Sequence, residues 1–268
     1  MKTYSITHRT LVFLYGIASY ILTLGVFAYT AGFLGNFLVP KPLDAPAQMP
    51  FWPALLANLA LLMLFSVQHS VMARPAFKSW WTRYIPAAAE RSTYVLFSCL
   101  ALIALFAFWQ PMGFPIWKVE NIVGKTALYT LYAAGWVIIF AASFFINHFD
   151  LFGLRQVWLH LRGKEYTDLN FATPAPYRVV RHPLYIGWFL TVWATPTMTG
   201  AHLLFAVATT TYILIAIRFE ERDLVTFHPE YEDYRRRVPM LIPRLKSAPP
   251  LSAQPPRGGS RRVITAVR

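Results

Sequence analysis

Four unbroken apolar stretches, residues 11–34, 53–72, 93–110 and 126–146, constrain this chain more than any other feature. Each approaches the ~20 residues that carry a helix across ~30 Å of hydrocarbon. In lipid, a spanning segment of this length satisfies its own backbone polar groups only as a helix. With 56% hydrophobic and 14% charged residues in a chain of 268, the expected fold is all-α, a polytopic membrane bundle, and a soluble domain is excluded. The first stretch is too long for a signal-peptide core and lacks a small-residue cleavage site. The single cysteine, Cys99, lies within the third stretch. It reads as a small buried apolar residue, and no intrachain disulfide can form.

Charge placement orients the spans. Lys2 and Arg9 precede the first, Arg74, Lys78, Arg83 and Arg91 follow the second, and Arg155, Arg162, Lys164, Arg178 and Arg181 follow the fourth. These ends are predicted to be cytoplasmic, and the loops holding Lys41 with Asp44 and Lys118 with Glu120 to be outside. The net charge of +13 is then a positive-inside excess plus a basic tail. Membrane lipid is the expected macromolecular contact, and nucleic acid is not required. The region 184–218 is too long for one crossing, and a single crossing would place the basic residues beyond it outside. Pro196 and Gly200 interrupt it, which predicts a helical hairpin with arms 184–195 and 201–218, the first too short to cross fully. Both termini then lie on the cytoplasmic side of a bacterial inner membrane. Residues 246–268, with Pro249-Pro250, Pro255-Pro256 and Gly258-Gly259, read as a disordered basic tail after one integral-membrane domain, 1–245.

The hairpin carries a recognisable border. The run Arg181-His182-Pro183-Leu184-Tyr185-Ile186-Gly187, then Glu220-Glu221-Arg222-Asp223-Leu224, Tyr231, Tyr234, Val238-Pro239 and Ile242-Pro243 resembles the C-terminal half of the integral-membrane methyltransferases related to isoprenylcysteine carboxyl methyltransferase. The resemblance implies S-adenosylmethionine bound in a half spanning about 150–245. It implies Arg181, His182, Tyr185, Gly187, Glu220, Glu221, Tyr234 and Arg235 as cofactor-binding residues. Further runs, Phe13-Leu14-Tyr15-Gly16, Gly32-Phe33-Leu34-Gly35-Asn36, Val39-Pro40-Lys41, Gln68-His69-Ser70-Val71-Met72-Ala73-Arg74 and Glu90-Arg91-Ser92-Thr93-Tyr94, are similar to the branch of that family that methylates methanethiol to dimethyl sulfide. Some of these are also similar to the NnrU proteins. The residue chemistry agrees with the cofactor: Arg181 and His182 suit its carboxylate, a Glu of the 220/221 pair its ribose hydroxyls, and a Tyr ring its sulfonium or adenine. No G-x-G-x-x-G occurs, so a soluble dinucleotide-type fold is not supported.

Polar residues inside the other spans indicate where the acceptor binds. Asn58, Phe65 and His69 fall on one helical face, and Ser143, Asn147 and Asp150 on another, with His148 nearly opposite Asp150 if the helix continues. His69 and Asp150 are the candidate catalytic pair, with Asn58, Phe65 and Asn147 lining the substrate. A small apolar thiol must lose its proton to become an effective nucleophile, and thiolate attack on a sulfonium annihilates two charges, which a water-poor site favours. A base such as His69 serves that step, and no metal is required. Taken singly, these residues also read as solvated span borders, and Tyr231 and Tyr234 as an interfacial belt. Another small thiol, a prenylcysteine carboxylate or a lipid amine remain open as acceptors. An NADPH-dependent reductase, disfavoured by Trp188 after Gly187, a non-catalytic NnrU-like protein and a transporter without visible inverted repeats are the rival classes.

Overall fold

Helix α1 (Ile6–Gly35) begins where the Ser5 side chain accepts from His8 N at 3.2 Å and ends at Asn36, which takes the left-handed conformation at φ 59°. The computed structural model describes residues 4–169 and 171–243. Lys2, Arg244 and the expected tail at 246–268 lie outside the described residues. Helix α2 (Phe51–Ala73) stops at Arg74, whose extended backbone precedes Pro75 at the start of α3 (Pro75–Trp81). Helix α4 (Glu90–Phe108), strand β1 (Pro115–Lys118) and α5 (Ile122–Ile146) follow. Short helices α6 (His148–Leu151), α7 (Leu154–Leu161) and α8 (Ala175–Val179) lead to α9 (Pro183–Trp193). Strand β2 (Thr197–Thr199), α10 (Gly200–Phe227) and α11 (Glu230–Arg237) complete the order.

Five helices, α1, α2, α4, α5 and α10, are long and apolar enough to cross a membrane. The protein is a helical integral-membrane bundle. The hairpin is present, with α9 and α10 as its arms, and α9, at 11 residues, is about 16 Å long. Its tip contains a feature the apolar pattern does not announce, since β2 pairs antiparallel with β1 and Val119 N donates to Pro196 O at 2.8 Å.

Two packing contacts place the site. Helix α4 lies between α1 and α2, and α9 lies against α5. The second contact depends on two glycines. A Cβ at Gly187 would stand 2.7 Å from Gly135 O, and one at Gly135 would stand 2.8 Å from Gly187 O, so the two helices meet backbone to backbone. The largest fully buried side chains, including Phe33, Leu43, Leu105, Trp109 and Met198, gather near the end that carries the β1–β2 sheet. At that end Asp44 accepts from Asn36 Nδ2 and Thr199 Oγ1, both at 2.5 Å, and lies 2.8 Å from His202 Nδ1. The opposite end is basic, carrying Arg74, Lys78, Arg91, Arg155 and Arg181.

Helix α5 does not continue past Ile146. Asn147 leaves it at φ 130° and its Oδ1 accepts from Asp150 N at 3.2 Å, starting α6. The expected stripe of Ser143, Asn147 and Asp150 is therefore broken at its middle residue, because an Asn at a positive φ reverses the chain direction. His148, not Asp150, folds back to Ser143, with Nδ1 2.9 Å from Ser143 Oγ and Nε2 2.7 Å from the Tyr20 hydroxyl.

Candidate functional site

The corner where α9 starts and α10 ends collects most of the residues singled out in the hairpin. Glu221 Oε1 takes three contacts: Arg181 Nε at 2.7 Å, His182 Nε2 at 2.9 Å and the Tyr231 hydroxyl at 3.3 Å. Glu220 Oε2 accepts from the Tyr185 hydroxyl at 3.0 Å. The second oxygens, Glu221 Oε2 and Glu220 Oε1, make no hydrogen bond among the described residues. Such a pair of free carboxylate oxygens suits hydroxyl or ammonium donors on a ligand.

Not every residue of the hairpin faces that corner. Arg181 also gives Nη1 to Val238 O at 2.6 Å and Arg235 O at 2.9 Å. With Arg181 N to Pro239 O and His182 N to Met240 O, it binds the segment after α11 onto the start of α9. The Arg235 side chain lies at the surface, paired with Glu232 at 2.7 Å. The Tyr234 hydroxyl donates to Tyr177 O at 2.6 Å, and its ring packs on Phe171 and Tyr231. Burial, and then the Glu221 and Glu220 charges, hold the Tyr231 hydroxyl above its ordinary range, and burial holds Tyr234 above its own against the nearby Arg181 charge, so both remain donors. Gly187 faces α5 rather than the carboxylates.

His69 lies on α2 one turn from Phe65, whose ring stacks on it at 5.1 Å between centroids. Its Nδ1 is 3.0 Å from Ser98 Oγ, and the Tyr94 hydroxyl is 2.7 Å from its Nε2 and 3.1 Å from its Nδ1, both residues on α4. Tyr212 of α10 closes the third side, 6.4 Å from His69 between ring centroids and 3.2 Å from Ser70 Oγ through its hydroxyl. Arg74 pairs with Asp223 at 3.0 Å, joining α2 to the same stretch of α10. Tyr212, Asp223, Glu220 and Glu221 all lie on α10, so that helix joins the His69 cluster to the carboxylate corner. Above Tyr94 lies the Arg91 guanidinium, 5.1 Å from the ring centroid. Burial, and next the Arg91 charge, push the Lys78 ammonium down to about 8.

Asn58 and Asp150 make no described contact with His69. Asn58 shares the face of His69, as its spacing implies, but its fully buried amide is used at both atoms by Gln110, at 2.7 Å and 2.8 Å. It fastens the end of α4, remote from His69. Asp150 pairs with Arg155 at 3.0 Å and accepts from the Tyr166 hydroxyl at 3.1 Å. Burial and the Asp150 charge hold that hydroxyl up to about 12. Tyr94, Arg91, Ser98 and Tyr212 were not singled out as site residues, although Tyr94 and Ser98 share an i, i+4 stripe on α4 that a pairing with α2 makes visible.

No family model matches the chain, and no solved structure matches it. Curated relatives do. A protein of Crocosphaera subtropica named methanethiol S-methyltransferase is 57% identical over 240 residues, 89% of this chain and 94% of that one. One of the same name from Mycobacterium tuberculosis is 49% identical over 236 residues, 88% and 97% of the two chains. More distantly, Nurim of Rattus norvegicus is 32% identical over 176 residues, 62% of this chain and 66% of that one. Since identities of 57 and 49% run through nearly the whole of each relative, from the α1 span to the Glu220/Glu221 corner and beyond, this chain belongs to the methanethiol S-methyltransferase family.

Proposed function

We propose that the protein transfers the methyl group of S-adenosylmethionine to methanethiol, forming dimethyl sulfide within the membrane. The observation that carries this reading, beside the family, is that one helix, α10, joins two unlike groups: a carboxylate pair with oxygens free among the described residues and a histidine stacked among aromatic rings. When bound, S-adenosylmethionine supplies a methyl group activated by a sulfonium. Glu220 and Glu221 accept from its hydroxyl or ammonium groups, and Arg181 Nη2 is the corner's remaining donor for its carboxylate, joined by His182 Nδ1 when that ring is protonated. His69 is the base for the thiol, in surroundings of Phe65, Tyr94 and Tyr212 that exclude water and suit a small apolar substrate arriving through lipid. Asn147 and Asp150 shape the α5–α6 turn, and Asn58 the far end of α4. Residues 1–245 act as one domain. The basic ends lie in the cytoplasm of a bacterial cell, so the cofactor corner opens on the compartment that holds the donor.

The test is direct. Detergent-purified protein given S-adenosylmethionine and methanethiol should release dimethyl sulfide to the headspace and S-adenosylhomocysteine to solution in equal amounts. A larger thiol, a prenylcysteine carboxylate and a lipid amine serve as competing acceptors. Absence of both products from folded protein removes the reading, and preference for another acceptor replaces the substrate while keeping the chemistry.

A further inference from the structure

We propose that Tyr94 is the residue that meets the thiol, passing the thiol's proton to His69 Nε2 while the Arg91 cation holds the negative charge that develops. The inference rests on the function proposed above and deepens it, because it assigns the proton path and the anion site to residues on α4.

The relay uses the histidine tautomer that carries its proton on Nδ1. Ser98 has one hydroxyl proton, and its Oγ donates it to Tyr94 O at 3.0 Å. In that orientation the same oxygen, 3.0 Å from His69 Nδ1, is an acceptor there, and Nδ1 carries the ring proton. Nε2 is left with its lone pair, and it is 2.7 Å from the Tyr94 hydroxyl. The basic atom of His69 is thus already engaged by Tyr94. The Tyr94 oxygen lies 2.7 Å from Nε2 and 3.1 Å from Nδ1, so a thiol reaches His69 through that oxygen.

Arg91 supplies the second observation. It is 5% exposed, and among the described residues its one hydrogen bond is Nε to Leu151 O at 2.9 Å. It pairs with no carboxylate within ion-pair distance there. A buried cation without a counter-charge is costly unless an anion joins it, and its ζ carbon is 5.1 Å from the Tyr94 ring. That field favours negative charge on the Tyr94 oxygen or on a sulfur beside it, in a water-poor site where such stabilisation is strongest. The charged and titratable groups facing the pair are Arg91 and Glu90 of α4, Arg74 after α2, and Tyr212 of α10.

The step balances. The S–H bond breaks and its proton goes to the Tyr94 oxygen as the Tyr94 proton moves to His69 Nε2. The thiolate lone pair forms the new S–CH3 bond, the bond from methyl to the sulfonium breaks, and its electron pair stays on the departing sulfur as a neutral thioether. His69 then releases the extra proton to water at the basic end.

Tyr94→Phe keeps the ring beneath Arg91 and removes only the relay. Its kcat should fall about 100-fold near neutral pH, with cofactor affinity within about twofold of the parent, and the deficit should shrink as pH rises and the thiol ionises unaided. Arg91→Lys should retain more activity than Arg91→Met, with the Met variant recovering at alkaline pH. Parental kcat and pH profile in Tyr94→Phe would overturn the relay, as would a loss equal at every pH with weakened cofactor binding, the mark of a structural role. Parental kcat with weakened cofactor binding in Arg91→Met would give Arg91 to the cofactor carboxylate and overturn its anion role. If the parent makes no dimethyl sulfide, the proposed function fails and the relay falls with it, an outcome the parent assay alone identifies.

Discussion

The two ends of this bundle handle buried polar groups in opposite ways. At the β1–β2 end, Asp44 is surrounded by Asn36, Thr199 and His202, and His202 Nε2 lies 3.1 Å from Val192 O. His202 is fully buried, as are neighbouring Leu43 and Met198. At the basic end, among the described residues, Glu220 and Glu221 each keep a free oxygen and Arg91 keeps two nitrogens without a partner. A buried network whose members are all satisfied fixes one structure; one left open at the atoms facing a common space is arranged for a ligand. The contrast separates polar residues that hold the helices from those that do chemistry, a distinction that residue type alone does not make.

The sharpest way to break the comparison is His69→Ala. Methyl transfer measured as dimethyl sulfide should drop by about 10² to 10⁴ while the melting temperature in detergent changes little; a stability loss without a rate loss would place His69 with Asp44. The converse change, Asp44→Ala, should cost about 3–5 kcal/mol of stability by leaving His202 buried without its carboxylate, with cofactor affinity of the folded fraction unaltered. Burial alone would raise the Asp44 carboxyl, but the hydrogen bond and charge of His202, with Thr199 and Asn36, outweigh it and hold the group below its ordinary value. The stability it contributes is therefore complete above the ordinary carboxylate range and lost as pH falls through the lowered value. Melting curves at descending pH should show that loss in the parent and a smaller one in Asp44→Asn. Glu221→Gln should weaken S-adenosylhomocysteine binding by roughly ten- to hundredfold, the equivalent of about 1.5–3 kcal/mol, read by calorimetric titration. Smallest, Gly187→Ala should lower stability by about 1–3 kcal/mol through overpacking against α5, measured by denaturation, with its rate loss recovering at permissive temperature if the glycine only packs.

The spans were legible because lipid leaves a long apolar run little choice. The stretch 126–146 ends where α5 ends, and 93–110 differs from α4 by a few residues at each end. The hairpin was legible for a local reason, since Pro196 and Gly200 cannot sit comfortably within one helix. The carboxylate corner was legible in part, as a border of opposite charges. What escaped depends on which helices become neighbours. Tyr94 is one aromatic among many on an apolar helix until α2 brings His69 against it, and Asp44 is an ordinary loop acid until the hairpin tip delivers His202. The Ser143/Asn147/Asp150 stripe misled because it assumed an unbroken helix, whereas the positive φ at Asn147 is invisible to periodicity. Arg181 was read as a ligand donor, yet three of its main bonds lie within the chain, because a guanidinium at a border also satisfies carbonyls that no helix covers.

The Gly135–Gly187 contact has an evolutionary consequence. A side chain gained at either position meets the other's carbonyl oxygen, and no substitution at the second position can make room, because the obstacle is backbone and the partner has nothing left to remove. Such a pair cannot drift by compensation. Any lineage that loses one glycine must move α9 away from α5 and take His182 and its grip on Glu221 with it, so these two positions are inherited as one character even though neither touches the reacting atoms.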